Sequence, residues 1–458
     1  ALNLVNAGRA APGRQRFSVF TNAGNLDTAG LGLTYDPSAV ARHALSFDGP
    51  NEVGVQTDID FCPSALSGNR RTVGDAVNSI QTQGGSEDFS VMVAELFRLP
   101  DAGALSAAYD QLAPLGTADA TWASLSAGQH YTDTLLLHMN DVRGRLYAQQ
   151  QEDREPLLLA YNGADERLGE LLGDRRRAQA QRKRSLWLQP LGQIGEQDGE
   201  EGFAGYDHHT TGIAGGFDYL LTERLIAGLG IGYYNTELDF DRSRSTNEID
   251  SYTASIYGTY FRDDFYIEGV LSYARHRYDN RRHIAVGGLQ RTASSDYDGD
   301  AYAASLAGGY TFRFEQWRVQ PFASLNYVYL DEEAFEETGA GSLNLSVGDR
   351  QTDALSSQIG CRLAHEWVAG NSVLIPEMSA AWLHDFTIDD NRITSSFAGS
   401  PGVSFTVEGR EPEEDGLRLG AGITYAGPGG ITGSIQYGGE FRGDYTAHGV
   451  YGLIRYAF

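Results

Sequence analysis

Between Leu186 and Phe458, apolar residues recur at every second position for about ten residues, stop at a turn, and resume. Leu225, Ala227, Leu229, Ile231 and Tyr233 share one face of such a run, and Ile226, Gly228, Gly230, Gly232 and Tyr234 share the other. Leu417, Leu419, Ala421, Ile423 and Tyr425 likewise oppose Arg418, Gly420, Gly422 and Thr424. A period of two is the signature of a strand with one greasy face. The connections alternate in length. Tight turns at 222–224, 262–264, 315–317, 369–371 and 427–430 alternate with polar stretches at 196–206, 241–247, 280–295, 331–348, 387–412 and 443–445. Five short and six longer connections separate twelve strands, an even number that puts both ends of the array on one side. Soluble sandwiches also alternate, but their strands are nearer five or six residues long. Long strands with tyrosine and tryptophan near their ends, joined alternately by short turns and long loops, fit a closed transmembrane barrel. The rhythm runs to the last residue, with Phe458, Tyr456, Ile454, Gly452 and Val450 in phase. The termini of soluble domains usually fray instead.

Composition agrees. Glycine numbers 56, tyrosine 25 and phenylalanine 20, against 3 methionines, a bias toward turns and strands. Mean hydropathy is −0.35, and no run of 18 apolar residues offers a helical membrane span. That does not count against a barrel, in which only alternate residues meet lipid. A net charge of −26 argues against nucleic acid as a partner. Cys62 and Cys361 lie far apart in the chain and form neither a metal nor a redox motif, and no disulfide is expected. No signal peptide opens the chain. Ala1 starts in mid-pattern, so the sequence reads as the C-terminal piece of something longer.

Upstream of the barrel, residues 165–184 contain helix formers, no β-branched residue, acids early and bases late, an order that complements a helix dipole. Twenty such residues would reach roughly 30 Å, enough to cross the hydrocarbon layer, yet they are too charged to face lipid. The expectation is a helix in the barrel lumen, with room left by Gly228, Gly230, Gly232, Gly420 and Gly422; the alternative is a solvated basic linker. Its Arg175, Arg176, Arg177, Arg182 and Arg184 would meet inward acids, with Glu268, Glu377 and Glu440 as candidates. Residues 61–160 show helical periodicity in three runs: Val73, Ala76, Val77 and Ile80; Leu105, Ala108, Tyr109 and Leu112; and Leu135, Met139, Val142 and Leu146. Residues 1–60 return to short strands at 2–5, 17–20, 30–35, 43–47 and 52–57, expected to be the last coils of a β-solenoid.

With these pieces in place the chain resembles the C-terminal part of a monomeric autotransporter of the type V secretion family. The segments SLWLQPLGQIGEQDG at 185–199, GIAGGFDYLLTERLIAGLGIGYYNTEL at 212–238, DYDGDAYAASLAGGYTF at 296–312 and GVYGLIRYAF at 449–458 are similar to that family's barrel strands. LSGNRRTVGDAVNSI at 66–80 resembles its passenger-to-barrel junction, and LSFDGPNEVGVQTDIDFCP before it resembles the end of a β-helical passenger. The resemblance implies a mainly β chain. Residues 1–60 would end a β-helical passenger, 61–160 form a partly helical junction, 161–184 a linker and lumen helix, and 185–458 a twelve-stranded antiparallel outer-membrane barrel. It implies a translocator that anchors, exports and displays its own N-terminal passenger at the surface of a Gram-negative bacterium. Its partners would be outer-membrane lipid and lipopolysaccharide, the barrel assembly machinery and periplasmic chaperones, with the chain a monomer. Ile454, Tyr456 and Phe458 would form the C-terminal assembly signal. Some family members cut themselves inside the barrel at an asparagine. Asn162–Gly163 and Asn140–Asp141 are the candidates here, but the paired asparagines of the cleaving subgroup are absent, and Asn-Gly is an ordinary turn dipeptide.

No G-x-S-x-G, H-E-x-x-H or P-loop is present, and neither catalysis, nor a cofactor, nor a metal site is expected. His208–His209 lacks further ligands. The acid clusters of the long loops could bind divalent cations weakly through oxygen ligands, and read first as a solvated anionic surface. Two other readings are a passive porin-like channel and a barrel-embedded hydrolase. The upstream passenger and lumen helix count against the first, and the missing Ser/His/Asp set against the second.

Overall fold

The computed structural model describes residues 11–21, 27, 30–47, 49, 51–152, 183–200, 202–241, 244–369, 372–389, 392–410, 413–427 and 431–458. The alternating region folds as a closed barrel of twelve antiparallel strands. In chain order these are β4 (Arg184–Gln197), β5 (Tyr206–Thr222), β6 (Leu225–Phe240), β7 (Thr246–Arg262), β8 (Phe265–Val286), β9 (Leu289–Tyr310), β11 (Trp317–Glu332), β14 (Arg350–His365), β16 (Ser372–Asp389), β19 (Asp415–Ala426), β20 (Ile431–Phe441) and β21 (Tyr445–Ala457). Two short strands, β10 (Phe312–Phe314) and β15 (Trp367–Ala369), extend the sheet at one rim. The barrel closes where β21 pairs with β4, from Tyr445 opposite Gln197 to Ala457 opposite Ser185. Arg184 lies at the mouth formed by the tight turns, and so does Phe458. All long connections gather at the other mouth. The turn between β7 and β8 needs Asp263 at φ 54°, a left-handed conformation that suits tight hairpins.

Burial alternates along most of the barrel strands, β7, β8 and β21 among them, as the period of two requires. On the outer face Leu229, Ile231, Met378, Ile435 and Ile454 keep 61–70% of their surface exposed, a band suited to lipid. Tyrosine pairs edge it, with ring centroids 5.2 Å apart for Tyr233–Tyr252 and 5.4 Å for Tyr273–Tyr302.

The hairpin of β8 and β9, each 22 residues long, rises at the long-loop mouth. Beside it stands a small sheet of β12 (Phe335–Glu336), β13 (Leu345–Val347), β17 (Arg392–Phe397) and β18 (Ser404–Glu408). On these loops sit three helices, α1 (Gly68–Thr82), α2 (Glu87–Arg98) and α3 (Ala102–Leu112). Ser86 and Asp101 cap α2 and α3 by accepting from the N–H groups of Phe89 and Ala104. Helices and loops bury one shared core in which Val77, Ile80, Phe89, Met92 and Leu96 join Ile284, Val286, Leu345, Phe397 and Val407. The rings of Phe89 and Phe397 meet edge to face at 5.5 Å.

The periodic runs at 73–80 and 105–112 fall in α1 and α3, and the run beginning at Leu135 falls in a much longer helix, α4 (Leu115–Glu152). The helix α2, which none of the three periodic runs covers, has an equally regular apolar face (Phe89, Met92, Val93, Leu96).

The N-terminal strands differ from expectation. β1 (Gly13–Thr21), β2 (Ala41–Phe47) and β3 (Glu52–Ile59) form an antiparallel sheet in the order β1–β3–β2, residues 30–35 form no strand, and the strand expected at 2–5 lies outside the described residues. Stacked solenoid coils would need parallel ladders. Here Phe17 and Leu45 both sit opposite Val55 from flanking antiparallel strands. The regular turn spacing was equally compatible with this meander. Cys62 is buried and Cys361 exposed, and both are free thiols. Burial first, then the Asp75 carboxylate, pushes the Cys62 thiol up to about 12.

Candidate functional site: the occupied lumen

The lumen is filled by α4. At 38 residues the helix is roughly 57 Å long, and it runs from the long-loop mouth toward the tight-turn mouth. Near its start the Asn247 side chain donates to the Gly116 carbonyl at 2.6 Å, Thr121 donates to Glu332 at 2.8 Å, and the Ser124 and Tyr278 hydroxyls lie 2.9 Å apart. Midway, the Tyr131 hydroxyl meets Ser255 at 2.9 Å and His130 meets the Tyr451 hydroxyl at 2.7 Å. Further down, His138 reaches Asp218, Asp141 accepts from Ser434 at 3.3 Å, and Arg143 pairs with Glu268.

Small residues allow this fit. Ala118, Ala120, Ala123 and Ala127 are buried on the helix. On the wall, a Cβ at Gly232 would fall 2.7 Å from the Tyr131 ring, and one at Gly449 2.7 Å from His130. The inward side of the wall here is not uniformly polar. Trp187, Leu191, Tyr234, Tyr257, Val270 and Leu453 pack against Tyr131, Leu135 and Met139. The helix can therefore offer an apolar face to the barrel, provided its polar groups find partners.

Asp218 is the densest of these anchors. It accepts from Ser185 at 2.7 Å, from the Tyr257 hydroxyl at 2.6 Å and from His138, while Arg455 lies 3.6 Å away. Trp187 donates to the same Tyr257 hydroxyl at 2.6 Å, and its ring centroid lies 4.6 Å from that of His138. Serine, histidine and aspartate meet here, but both Ser185 and His138 engage the carboxylate rather than each other. A nucleophile needs its base within hydrogen-bond reach, so the cluster reads as a structural latch. His208 turns inward to the Tyr445 hydroxyl at 2.9 Å while its neighbour His209 is exposed. Among the described residues no group of three or more metal-ligating side chains converges.

The sequence-named residues fall as follows. Glu268 is buried and paired with Arg143 of α4. Glu440 is bound by Arg418 at 2.6 Å and Arg442 at 2.8 Å, both on the barrel wall. Glu377 lines a lumen cavity with Arg362. The partners expected for these acids, Arg175, Arg176, Arg177 and Arg182, lie outside the described residues, as do most of the proposed 165–184 helix and Asn162. Arg184 is not a lumen-helix residue. It opens β4, exposed, 6.0 Å over the Tyr219 ring. A lumen helix was expected to be densely charged; α4 instead carries six charged residues among its 38 and is richest in leucine and alanine, against a wall that is in good part aromatic. Asn140, the second cleavage candidate, accepts from Arg143 at 2.8 Å. Ile454, Tyr456 and Phe458 share the exposed outer face of the closing strand.

Outside the barrel, α1–α3 are tied to the loops by side chain-to-backbone pairs. Asn69 and Glu408 exchange two hydrogen bonds, of 2.7 and 2.8 Å. Gln111 accepts from the Ala285 N–H at 2.7 Å, and Glu95 from the Gly288 N–H at 2.8 Å. Arg291 forks onto both oxygens of Asp88 at 2.5 and 2.7 Å. That guanidinium, followed by the Ser342 N–H, holds the Asp88 carboxyl well below the usual carboxylate range.

Known proteins share this architecture. The model of the autotransporter β-domain matches residues 186–438, more than half of the chain. Esterase EstA of Pseudomonas aeruginosa is 26% identical over 239 residues, covering 51% of this chain and 36% of that protein. An extracellular serine protease of Serratia marcescens is 25% identical over 274 residues, covering 59% of this chain and 26% of that protein. The chain thus spans well under half the length of these curated relatives. The translocator domain of the autotransporter NalP from Neisseria meningitidis aligns with a TM-score of 0.50 at 18% identity, over 63% of this chain and 96% of that one, and so shares the fold. The tight-turn mouth is then periplasmic and the long-loop mouth faces outward. The chain belongs to the autotransporter β-domain family, and its barrel is a translocator of the Gram-negative outer membrane.

Proposed function

We propose that the barrel carries the N-terminal part of its own chain outward, and that α4 then stays in the pore as the tether. The observation that carries this is directional. Residues 68–112 dock on the outer mouth, α4 descends through the lumen, and Arg184 and Phe458 close the barrel at the periplasmic mouth. A chain arranged in that way has its N-terminal region outside and its barrel in the membrane. The passenger therefore ends above α1, with the sheet β1–β3 as its last piece. The described lumen supports a conduit and an anchor rather than an enzyme, so an esterase or protease activity like those named for the relatives would belong to the passenger. The outer band takes lipid and lipopolysaccharide. The barrel assembly machinery and periplasmic chaperones are the expected assembly partners, for a chain that works as a monomer.

The test uses an epitope inserted at the exposed Gly84–Gly85 turn between α1 and α2. Antibody should label intact cells, while the barrel shows the heat-modifiable mobility of a folded outer-membrane protein. Labelling only after permeabilisation would refute the outward orientation.

A further inference from the structure

The lumen helix is not centred. Its Ser124, Tyr131, His138 and Arg143 all bind side chains of β5, β7 and β8. Across the pore, three cavities lie between α4 and the wall of β11, β14, β16, β19 and β20, interrupted by direct contacts such as Thr121–Glu332, Asp133–Arg418 and Asp141–Ser434. The upper, of about 60 Å³, lies between Ser126 and Gln129 of the helix and Asn326 and Arg442 of the wall. The middle, of about 110 Å³, lies between Asp133 and Leu137 and Ser324 and Ser379. The lower, of about 30 Å³, lies between Asn140 and Arg318 and Gln320. Each is roomy and polar enough to hold water. Successive cavities share walls: Gln358 and Arg418 border both the upper and the middle, while Arg362 and Glu377 border both the middle and the lower.

Arg418 forms the upper partition. From β19 it reaches Asp133 on the helix with one nitrogen and Glu440 on β20 with another, at 2.6 Å. Gln358 also touches Asp133, at 3.5 Å. Around this point stand Asp133, Glu440 and Asp385, against Arg418 and Arg442.

We propose that the plugged translocator keeps a water-filled path for small ions along the β11–β20 side of α4, with Arg418 as its gate. The three cavities supply the path, and a long flexible side chain that bridges helix to wall supplies the gate. Removing its charge leaves three carboxylates facing only Arg442, so the opened path favours cations, as carboxylate rings do in cation channels. The inference rests on α4 being in the lumen and is independent of what the passenger does.

The test uses the purified full chain in planar bilayers in potassium chloride. Arg418→Gln should raise the small steady conductance several-fold and move the reversal potential in a salt gradient toward that of potassium. In a second measurement the gate is left intact. Cysteine placed at Ser324, on the middle cavity, should react with a small charged methanethiosulfonate. Cysteine at Thr210, which is buried against Thr236, should stay protected. If Ser324→Cys is as protected as Thr210→Cys, there is no path. If Ser324→Cys reacts but Arg418→Gln conducts like the parent, the gate is not Arg418. A far larger step, accompanied by new reactivity at Thr210→Cys in the Arg418→Gln background, would mean that the helix has left the pore, and would equally overturn the proposal.

Discussion

His138 on the lumen helix and Asp218 on β5 meet through both carboxylate oxygens, at 3.0 and 3.1 Å from Nε2, with neither side chain open to solvent. The same carboxylate gathers Ser185 and Tyr257 from two barrel strands. Asp218→Ala would leave all three donors buried without their acceptor. Breaking a buried pair typically costs about 3 to 5 kcal/mol. The temperature at which the folded, fast-migrating species converts to the unfolded one should fall clearly, and Asp218→Asn, which keeps the shape, should fall less. Equal stability of parent and Asp218→Ala would show that the cluster does not fasten the helix.

Gly232 tests the same fit from the wall. A side chain there would press on the Tyr131 ring, and overpacking typically costs about 1 to 3 kcal/mol. Gly232→Val should destabilise the folded form, and adding Tyr131→Ala should recover part of the loss, because the second change vacates the contested space. If the two losses simply add, the residues do not contact each other.

The barrel was legible because lipid on one side and a lumen on the other impose a two-residue period that no other constraint erases. Leu229, Leu271 and Ile454 announce their face directly. The place of the lumen helix was not legible. Its apolar run Leu135, Met139 and Val142 is periodic like that of any amphipathic helix, and nothing in it says that the face meets a barrel wall, while Tyr131, His138 and Arg143 are buried through polar groups that carry no stripe. Their partners, Ser255, Asp218 and Glu268, lie far away in sequence. Charge directs attention to 165–184. Of the five inward glycines, Gly230 and Gly232 do face Tyr131 of α4, whereas Gly228, Gly420 and Gly422 are covered by the wall side chains Tyr257, Ser379 and Gln436. The antiparallel pairing of β1–β3 was equally hidden, since short strands at even spacing do not reveal their direction.

The docking of α1–α3 should weaken in acid. Asp88 is held below its ordinary range by Arg291, so its contribution is complete above the unfolded value, about 3.9. It is lost as pH falls through the lower, folded value. Asp88 is 47% exposed, which limits the contribution to about 0.2 to 1 kcal/mol. Proteolysis of the 83–85 connection by an acid-active protease should therefore accelerate below about pH 4 more in the parent than in Asp88→Asn, which should already be more susceptible at pH 6. Identical pH profiles would remove Asp88 from the interface energetics.

The last residue closes the barrel. The Phe458 N–H donates to the Arg184 carbonyl at 2.8 Å and the Arg184 N–H donates to Phe458 at 3.2 Å, so the chain's end is hydrogen-bonded to the first barrel strand. Its ring lies on the outer face beside Tyr456, with centroids 5.8 Å apart. Deleting Phe458 removes the outermost bonds of the seam and the final aromatic of the strand that the assembly machinery is proposed to recognise. The yield of heat-modifiable barrel in outer membranes should drop several-fold. Phe458→Tyr keeps the backbone bonds and an outward ring and should assemble normally, whereas Phe458→Asp keeps only the backbone bonds. If Phe458→Asp assembles as well as Phe458→Tyr, the seam bonds suffice and the ring is not a signal. If it fails like the deletion, the ring is what is read.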